Sequence, residues 1–378
     1  MSGLAIARAL ALVAAVASLG AGCSVLESEN PTLGEDARLE VTDYDSARPA
    51  TRAGYADLAT FVTPGGRVQI FDPGTGPSDP PRLIRTIRVR NHIVTDAQIA
   101  DDGYLWVAPP DFEGGTLRVV YVVDPHTGII HRNIETPANL SAIAGLTIGP
   151  DAVYLRAWRD GFSGGIGVVS RSCVATSTDC NVRFLSELGD VGGTPERALH
   201  YEPGALYSFN GSNSRAERLS TVRIDPSTGD ERATTALSGT STFDAESFYV
   251  LALRGPGERN LIRLDKETLR EEASARIGIN AFQIAHESGR LYVTDGLLQT
   301  VEVYNAATLE SVETIDISEA MIAGAPEAAV GFIAPHVLIL NHHSYLNTET
   351  NEVVSDAFPL DLNFSQALRL PQGHPLAF

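Results

Sequence analysis

Gly289-Arg290-Leu291-Tyr292-Val293-Thr294-Asp295 and, after four intervening residues, Thr300-Val301-Glu302-Val303-Tyr304-Asn305 decide the fold. In both runs apolar and polar residues alternate, the period of a half-buried strand rather than a helix. The second run ends in Asn305-Ala306-Ala307-Thr308-Leu309, a degenerate copy of a turn that recurs along the chain. Clear copies are Asp72-Pro73-Gly74-Thr75-Gly76, Asp124-Pro125-His126-Thr127-Gly128 and Asp225-Pro226-Ser227-Thr228-Gly229. Weaker ones are Asp265-Lys266-Glu267-Thr268-Leu269 and Asn347-Thr348-Glu349-Thr350-Asn351. Asp or Asn opens the turn by bonding its own backbone, Pro pre-sets φ, and Gly accepts φ > 0 at the close. Successive copies stand 52, 101, 40, 40 and 42 residues apart, and the double gap holds a divergent copy around Ser170 to Cys180. Seven units of about 46 residues match the period of a four-stranded propeller blade.

Each turn is the hairpin between the third and outermost strands of a blade. Alternating strands precede it, as in Arg67-Val68-Gln69-Ile70-Phe71, and follow it, as in Arg82-Leu83-Ile84-Arg85-Thr86-Ile87. The first unit has strands near 58–63, 66–71 and 82–89 but no innermost strand before them. The tail from Asn363 to Phe378 reads like the opening of a unit and can supply it, which removes the free edges of an open array. The expectation is an all-β protein. It is a seven-bladed β-propeller of four-stranded antiparallel blades over residues 54–378, with the ring closed by the C-terminal strand.

The sixth unit, with Leu291-Tyr292-Val293-Thr294-Asp295, resembles the YVTN β-propeller repeat, a family of exported seven-bladed propellers. Echoes of its first half are Gly103-Tyr104-Leu105-Trp106-Val107, Gly204-Ala205-Leu206-Tyr207 and Ser247-Phe248-Tyr249-Val250-Leu251. The resemblance is specific for fold and nearly silent on function.

Residues 1–22 carry Arg8, an apolar run from Ala9 to Leu19, and small residues up to Cys23. That is the layout of a secretory signal, with a run too short for a comfortable membrane span. Leu19-Gly20-Ala21-Gly22-Cys23 resembles a bacterial lipoprotein signal, in which the cysteine is lipidated and becomes the first mature residue. Gly20 departs from that pattern, where a larger aliphatic residue is commoner, and an ordinary signal peptide beside a chance cysteine is the alternative. Ser24 after the cysteine implies, by the rule of that family, sorting to the outer membrane. Residues 23–53 are polar, acidic and rich in Pro and Ala, and read as a lipidated flexible tether that anchors the domain without a spanning helix. Removing Cys23 leaves Cys173 and Cys180, an even pair that reads as a disulfide in an exported protein. A zinc site there lacks a second ligand pair.

The 378 residues carry a formal charge of −19, against which nucleic-acid binding would need a basic surface. The 28 basic residues are scattered arginines and one lysine, Lys266. Propeller ligands sit at the axial channel, near the loops that enter the innermost strands. Asn91, His92, Asn139, Thr194, Thr240, Asn280 and Asn363 fall there, neutral groups suited to a polar ligand or a loop of a partner. The plainer reading is that Asn and Thr make the turns. A lactonase-type calcium site would need converging carboxylates, and Glu327 and Asp361 alone lie near comparable connectors. His342-His343 is the one adjacent histidine pair, but neighbours on a strand point to opposite faces. Quinoprotein-type turns are followed by a Trp, which is missing here, and Gly-x-Ser-x-Gly, P-loop and dinucleotide motifs are missing too. The reading is a monomeric cell-envelope lipoprotein without cofactor or metal. Its propeller is a binding or scaffolding module for a protein or envelope polysaccharide, with a lactonase or quinoprotein dehydrogenase as the alternative.

Overall fold

The computed structural model describes residues 39–44, 48–63, 66–89, 94, 96–108, 119–137, 139–140, 143–158, 163–176, 180–190, 199–210, 220–237, 239–255, 257–320, 331–340, 344–355, 357 and 368–369. Blade 2 comprises Asp96–Ile99, Leu105–Ala108, Val119–Asp124 and Ile129–Glu135. Blade 3 comprises Ile143–Ile148, Ala152–Trp158, Ser163–Ser170 and Arg183–Asp190. Leu199–Glu202, Ala205–Asn210, Ser220–Ile224 and Glu231–Thr235 build blade 4. Thr240–Phe243, Ser247–Gly255, Glu258–Asp265 and Glu271–Ile277 build blade 5. Blade 6 holds Ala281–Glu287, Arg290–Asp295, Thr300–Asn305 and Ser311–Asp316; blade 7 holds Gly331–Ala334, Val337–Ile339, Tyr345–Asn347 and Glu352–Val354. All are antiparallel meanders in sequence order, and the first strands of blades 2 and 3, 3 and 4, 5 and 6, and 6 and 7 pack against one another. The protein is a seven-bladed β-propeller.

Blade 1 is assembled from both ends of the chain. Ala59–Val62, Arg67–Asp72 and Arg82–Val89 form its body, and Leu368–Arg369 adds the innermost strand through Thr60↔Arg369 and Phe61↔Leu368. The expected closure by the C-terminal strand is therefore observed. On the opposite edge Leu39–Asp43 adds a fifth strand, paired from Leu39↔Val89 to Asp43↔Arg85. This corrects the reading of residues 23–53 as tether throughout, because Leu39-Glu40-Val41-Thr42-Asp43 carries the β-branched alternation of an edge strand. Arg85, 2% exposed, holds it: Nε donates to Asp43 at 2.5 Å while Nη1 reaches the carbonyls of Pro125 and His126 in blade 2. The chain then crosses to Arg52, whose guanidinium donates to the Tyr104 hydroxyl at 2.6 Å and lies 3.8 Å over its ring. Gly103 (φ +79°) is required under this crossing, since a Cβ there would stand 2.1 Å from the Arg52 carbonyl oxygen.

The core lies between blades. Seven apolar clusters fill the seven junctions, the last joining Ala59, Phe61 and Phe71 of blade 1 to Ile333, Val337 and Ile339 of blade 7. Middle strands are covered on both sides and so are continuously buried, as in Val119–Val123, whereas outer strands alternate, as in Glu271–Ile277. Tight turns join strands one to two and three to four on one face of the ring. There a carboxylate two residues before the first-turn glycine meets the second residue of the next blade's outer turn. Asp101 pairs with Arg171, Glu202 with Lys266 at 2.5 Å, and Glu287 accepts from the Thr348 hydroxyl at 3.0 Å. These latches join blades 2 to 3, 4 to 5 and 6 to 7. At the intervening junctions Tyr154 stacks on Tyr201 at 5.5 Å and Tyr249 on His286 at 5.9 Å. The divergent outer turn of blade 3 is closed by the Cys173–Cys180 disulfide, as expected.

Candidate binding face

The other face carries the connectors that enter the innermost strands and those joining strands two to three. Among the seven residues expected at the channel, Asn139 sits half-buried in the turn before blade 3. Thr240 opens the innermost strand of blade 5 opposite Leu251, and Asn280 lies half-buried in the turn before blade 6. All three stand at the entry side of an inner strand, each in a different blade. Asn91, His92, Thr194 and Asn363 lie outside the described residues, as do Cys23, Glu327, Asp361 and the His342-His343 pair. Among the described residues no group of three or more His, Cys, Asp or Glu side chains is placed to hold a metal ion.

Of the eight large apolar residues exposed among the described residues, four lie on this face at blades 5 and 6. Leu253 is 45% exposed, Ile279 49%, Leu297 71% and Leu298 66%. The local chain makes the projection unavoidable. Asp295 turns its Oδ1 to the backbone N–H groups of Leu297 (3.0 Å) and Leu298 (2.9 Å), and this closed turn pushes both side chains outward. Ile279 lies in the adjacent connector; a Cβ on Gly278 would stand 3.0 Å from Asp295 Oδ2, and one on Gly257 3.5 Å from Ile279 Cδ1. Leu253 stands opposite Arg259, which stands opposite Ile277 at the strand end leading to Ile279. The four residues thus form one sector. Sequence reasoning missed it, although Gly296-Leu297-Leu298-Gln299 places two large apolar residues in a turn between well-read strands, where polar residues are expected.

Charge is partitioned differently on the tight-turn face, where the polar groups satisfy one another. Burial works to raise the Glu202 carboxyl, but the Lys266 ammonium at 2.5 Å and the His200 ring nearby outweigh it and hold the pKa below the usual Glu value. Lys266 also donates to the Asp244 carbonyl oxygen at 2.6 Å. The Asp225 carboxyl is held far below its ordinary range by hydrogen bonds from the Ser227 hydroxyl and Arg232. Deep in the 3–4 junction, burial brings the Arg156 guanidinium down to about 10 while Nη1 donates to the Phe209 carbonyl oxygen at 2.6 Å. Glu202 with Lys266, and Arg156 with Phe209, tie neighbouring blades together, whereas Asp225 and Arg232 close the outer hairpin of blade 4.

No protein-family model matches the chain, and no curated protein sequence matches it. Solved propellers do. Dihydro-heme d1 dehydrogenase NirN, in complex with DHE, superposes with a TM-score of 0.55 at 12% identity, over 87% of this chain and 79% of that one. BamB from Moraxella catarrhalis gives 0.51 at 13% identity, over 84% and 90%. Hydrazine synthase of Kuenenia stuttgartiensis gives 0.51 at 14% identity, over 81% and 94%. At such identities the likeness is one of fold.

Proposed function

We propose that this protein is an exported, lipid-anchored propeller that serves as a binding or scaffolding module for a protein or envelope polymer. The observation that carries the reading is the unequal use of the two faces. Tight turns and latches consume the polar groups of one, while the other presents neutral connector residues and the apolar sector around Leu297 and Leu298. Exposed apolar surface of this kind marks interaction sites. The lipid anchor rests on Cys23 in its signal context, and the disulfide suits an oxidising compartment. BamB among the structural neighbours fits this reading, whereas NirN and hydrazine synthase keep a propeller enzyme as the alternative.

The test is affinity capture from envelope extract with the full chain, with Asn139→Arg/Asn280→Arg on the connector face, and with Glu310→Arg on the opposite face. A specific partner retained by wild type and Glu310→Arg, and lost from the double variant, is expected. Identical capture by all three would remove the face from the proposal. Metabolic labelling with a palmitate analogue should mark the wild type and spare Cys23→Ala; equal labelling of both would remove the anchor.

A further inference from the structure

We propose that the thiol–disulfide state of Cys173 and Cys180 sets the seating of the N-terminal strap, the strand Leu39–Asp43 with the crossing turn Arg52–Tyr55. Reduction in blade 3 then frees the fifth strand of blade 1. The inference depends on neither the lipid anchor nor the binding face.

Two contact paths lead from the disulfide turn to the strap. The helical turn Ser172–Ala175 carries Cys173. Beside it, the Val174 carbonyl oxygen accepts from His131 Nε2 at 3.1 Å; a carbonyl can only accept, so the ring holds a proton at Nε2. The His131 ring, oriented in this way, stacks on Tyr104 at 4.9 Å. The Tyr104 hydroxyl accepts from the Arg52 guanidinium, which also lies over the Tyr104 ring. The second path is polar. Arg171, buried immediately before the helical turn, donates to the carbonyl oxygens of Gly149 (3.1 Å) and Pro150 (2.9 Å) and pairs with Asp101 and Asp102. The Asp102 carbonyl oxygen accepts from Arg52 Nε at 3.1 Å. Both paths end on Arg52.

The strap itself is thinly held. Four of the five residues of Leu39–Asp43 are exposed. Its seat is the ladder to Arg82–Val89, the pair of Asp43 with Arg85, and Val41 over Gly128, where a Cβ would stand 2.7 Å from Val41 Cγ2. An edge of this kind opens at low free energy, so its grip at the crossing decides whether it stays. That grip is Arg52 together with the buried Tyr55.

A dithiol reductant performs the release. Its thiolate attacks Sγ of the partly buried Cys180, the S–S bond breaks, and the buried Cys173 leaves as a thiolate that takes up a proton. The second thiolate of the reductant displaces Cys180 from the mixed disulfide in the same way. The protein gains two electrons and two protons as two thiols, and the reductant leaves as a disulfide. The opened loop releases Val174 from His131 and loosens Arg171, and the Tyr104 platform loses its hold on Arg52. The freed strand bares the edge of Arg82–Val89.

Hydrogen exchange of the full chain, oxidised and after treatment with dithiothreitol, tests this. Peptides covering 39–55 should exchange at least about fivefold faster when reduced, while blades 5 and 6 keep their protection. Cys173→Ser/Cys180→Ser should show the fast strap with and without dithiol. Tyr104→Leu interrupts the ring path and leaves the disulfide intact. It should show a faster strap already when oxidised, and reduction should add less than the wild-type increment. A strap equally protected in both redox states overturns the proposal. So does a full wild-type increment on reducing Tyr104→Leu, or a loss of protection spread evenly over all blades.

Discussion

Lys266 is the single lysine among 28 basic residues, and it stands 8% exposed at the latch position that Arg171 fills in blade 3. Its ammonium reaches Glu202, the Asp244 carbonyl oxygen and the Phe243 ring (4.9 Å) from one point. Lys266→Met should lower stability by about 2–3 kcal/mol in urea unfolding, since it strands a partly buried carboxylate. Adding Glu202→Gln should recover more than about 1 kcal/mol of that loss; strictly additive singles would refute the coupling. The composition reading saw arginine bias and could not see this contact, because nothing local distinguishes Lys266 from other turn residues. His286 makes the complementary case. Burial lowers its pKa below 6.5 despite the nearby Asp244 carboxylate, so the folded state disfavours the proton that the unfolded chain accepts. The stability associated with neutral His286 is complete above the unfolded value and is lost as pH falls below about 6.5. His286→Tyr, which places there the residue found at the equivalent Tyr201, should flatten the melting temperature between pH 7 and 5. A profile parallel to wild type would refute it.

Elements show how local chemistry and neighbours divide the work. The outer hairpins were legible because Asp, Pro and Gly specify a turn within five residues; Asp225, for example, receives the N–H groups of Ser227 (2.9 Å) and Thr228 (3.2 Å). The strand Leu39–Asp43 was not, because an edge strand is defined by the partner edge it meets and by Arg85, 42 residues away. The blade 3 turn lies between these cases: its disulfide was expected, but its grip on blade 2 was not. His131 Nε2 contacts the Val174 carbonyl oxygen at 3.1 Å and Arg132 donates to that of Thr176 at 2.9 Å. Cys173→Ser/Cys180→Ser should cost about 2.5 kcal/mol through the freed loop of the unfolded chain. Hydrogen exchange should rise first in the outer strands of blades 2 and 3; uniform loosening of all blades would contradict the local grip.

At the scale of the whole molecule, the ring is stable because every blade has two neighbours and each junction has its own core. Removing residues 367–378 withdraws the innermost strand of blade 1 and exposes the Thr60–Phe61 edge. That deletion should replace one cooperative unfolding transition by an earlier step confined to blades 1 and 7; an unchanged single transition would show that closure depends on the blade cores alone. The sequence by itself determined the class, the blade number, the disulfide and the closing strand, since all four follow from turn chemistry, strand period and counting. Tertiary structure alone decided the fifth strand of blade 1 and the polar latches that join blades 2 to 3, 4 to 5 and 6 to 7. The reason is physical: a turn or strand period is encoded in neighbours along the chain. A latch is a relation between blades, joining residues more than 40 positions apart, fixed when the ring brings them into register.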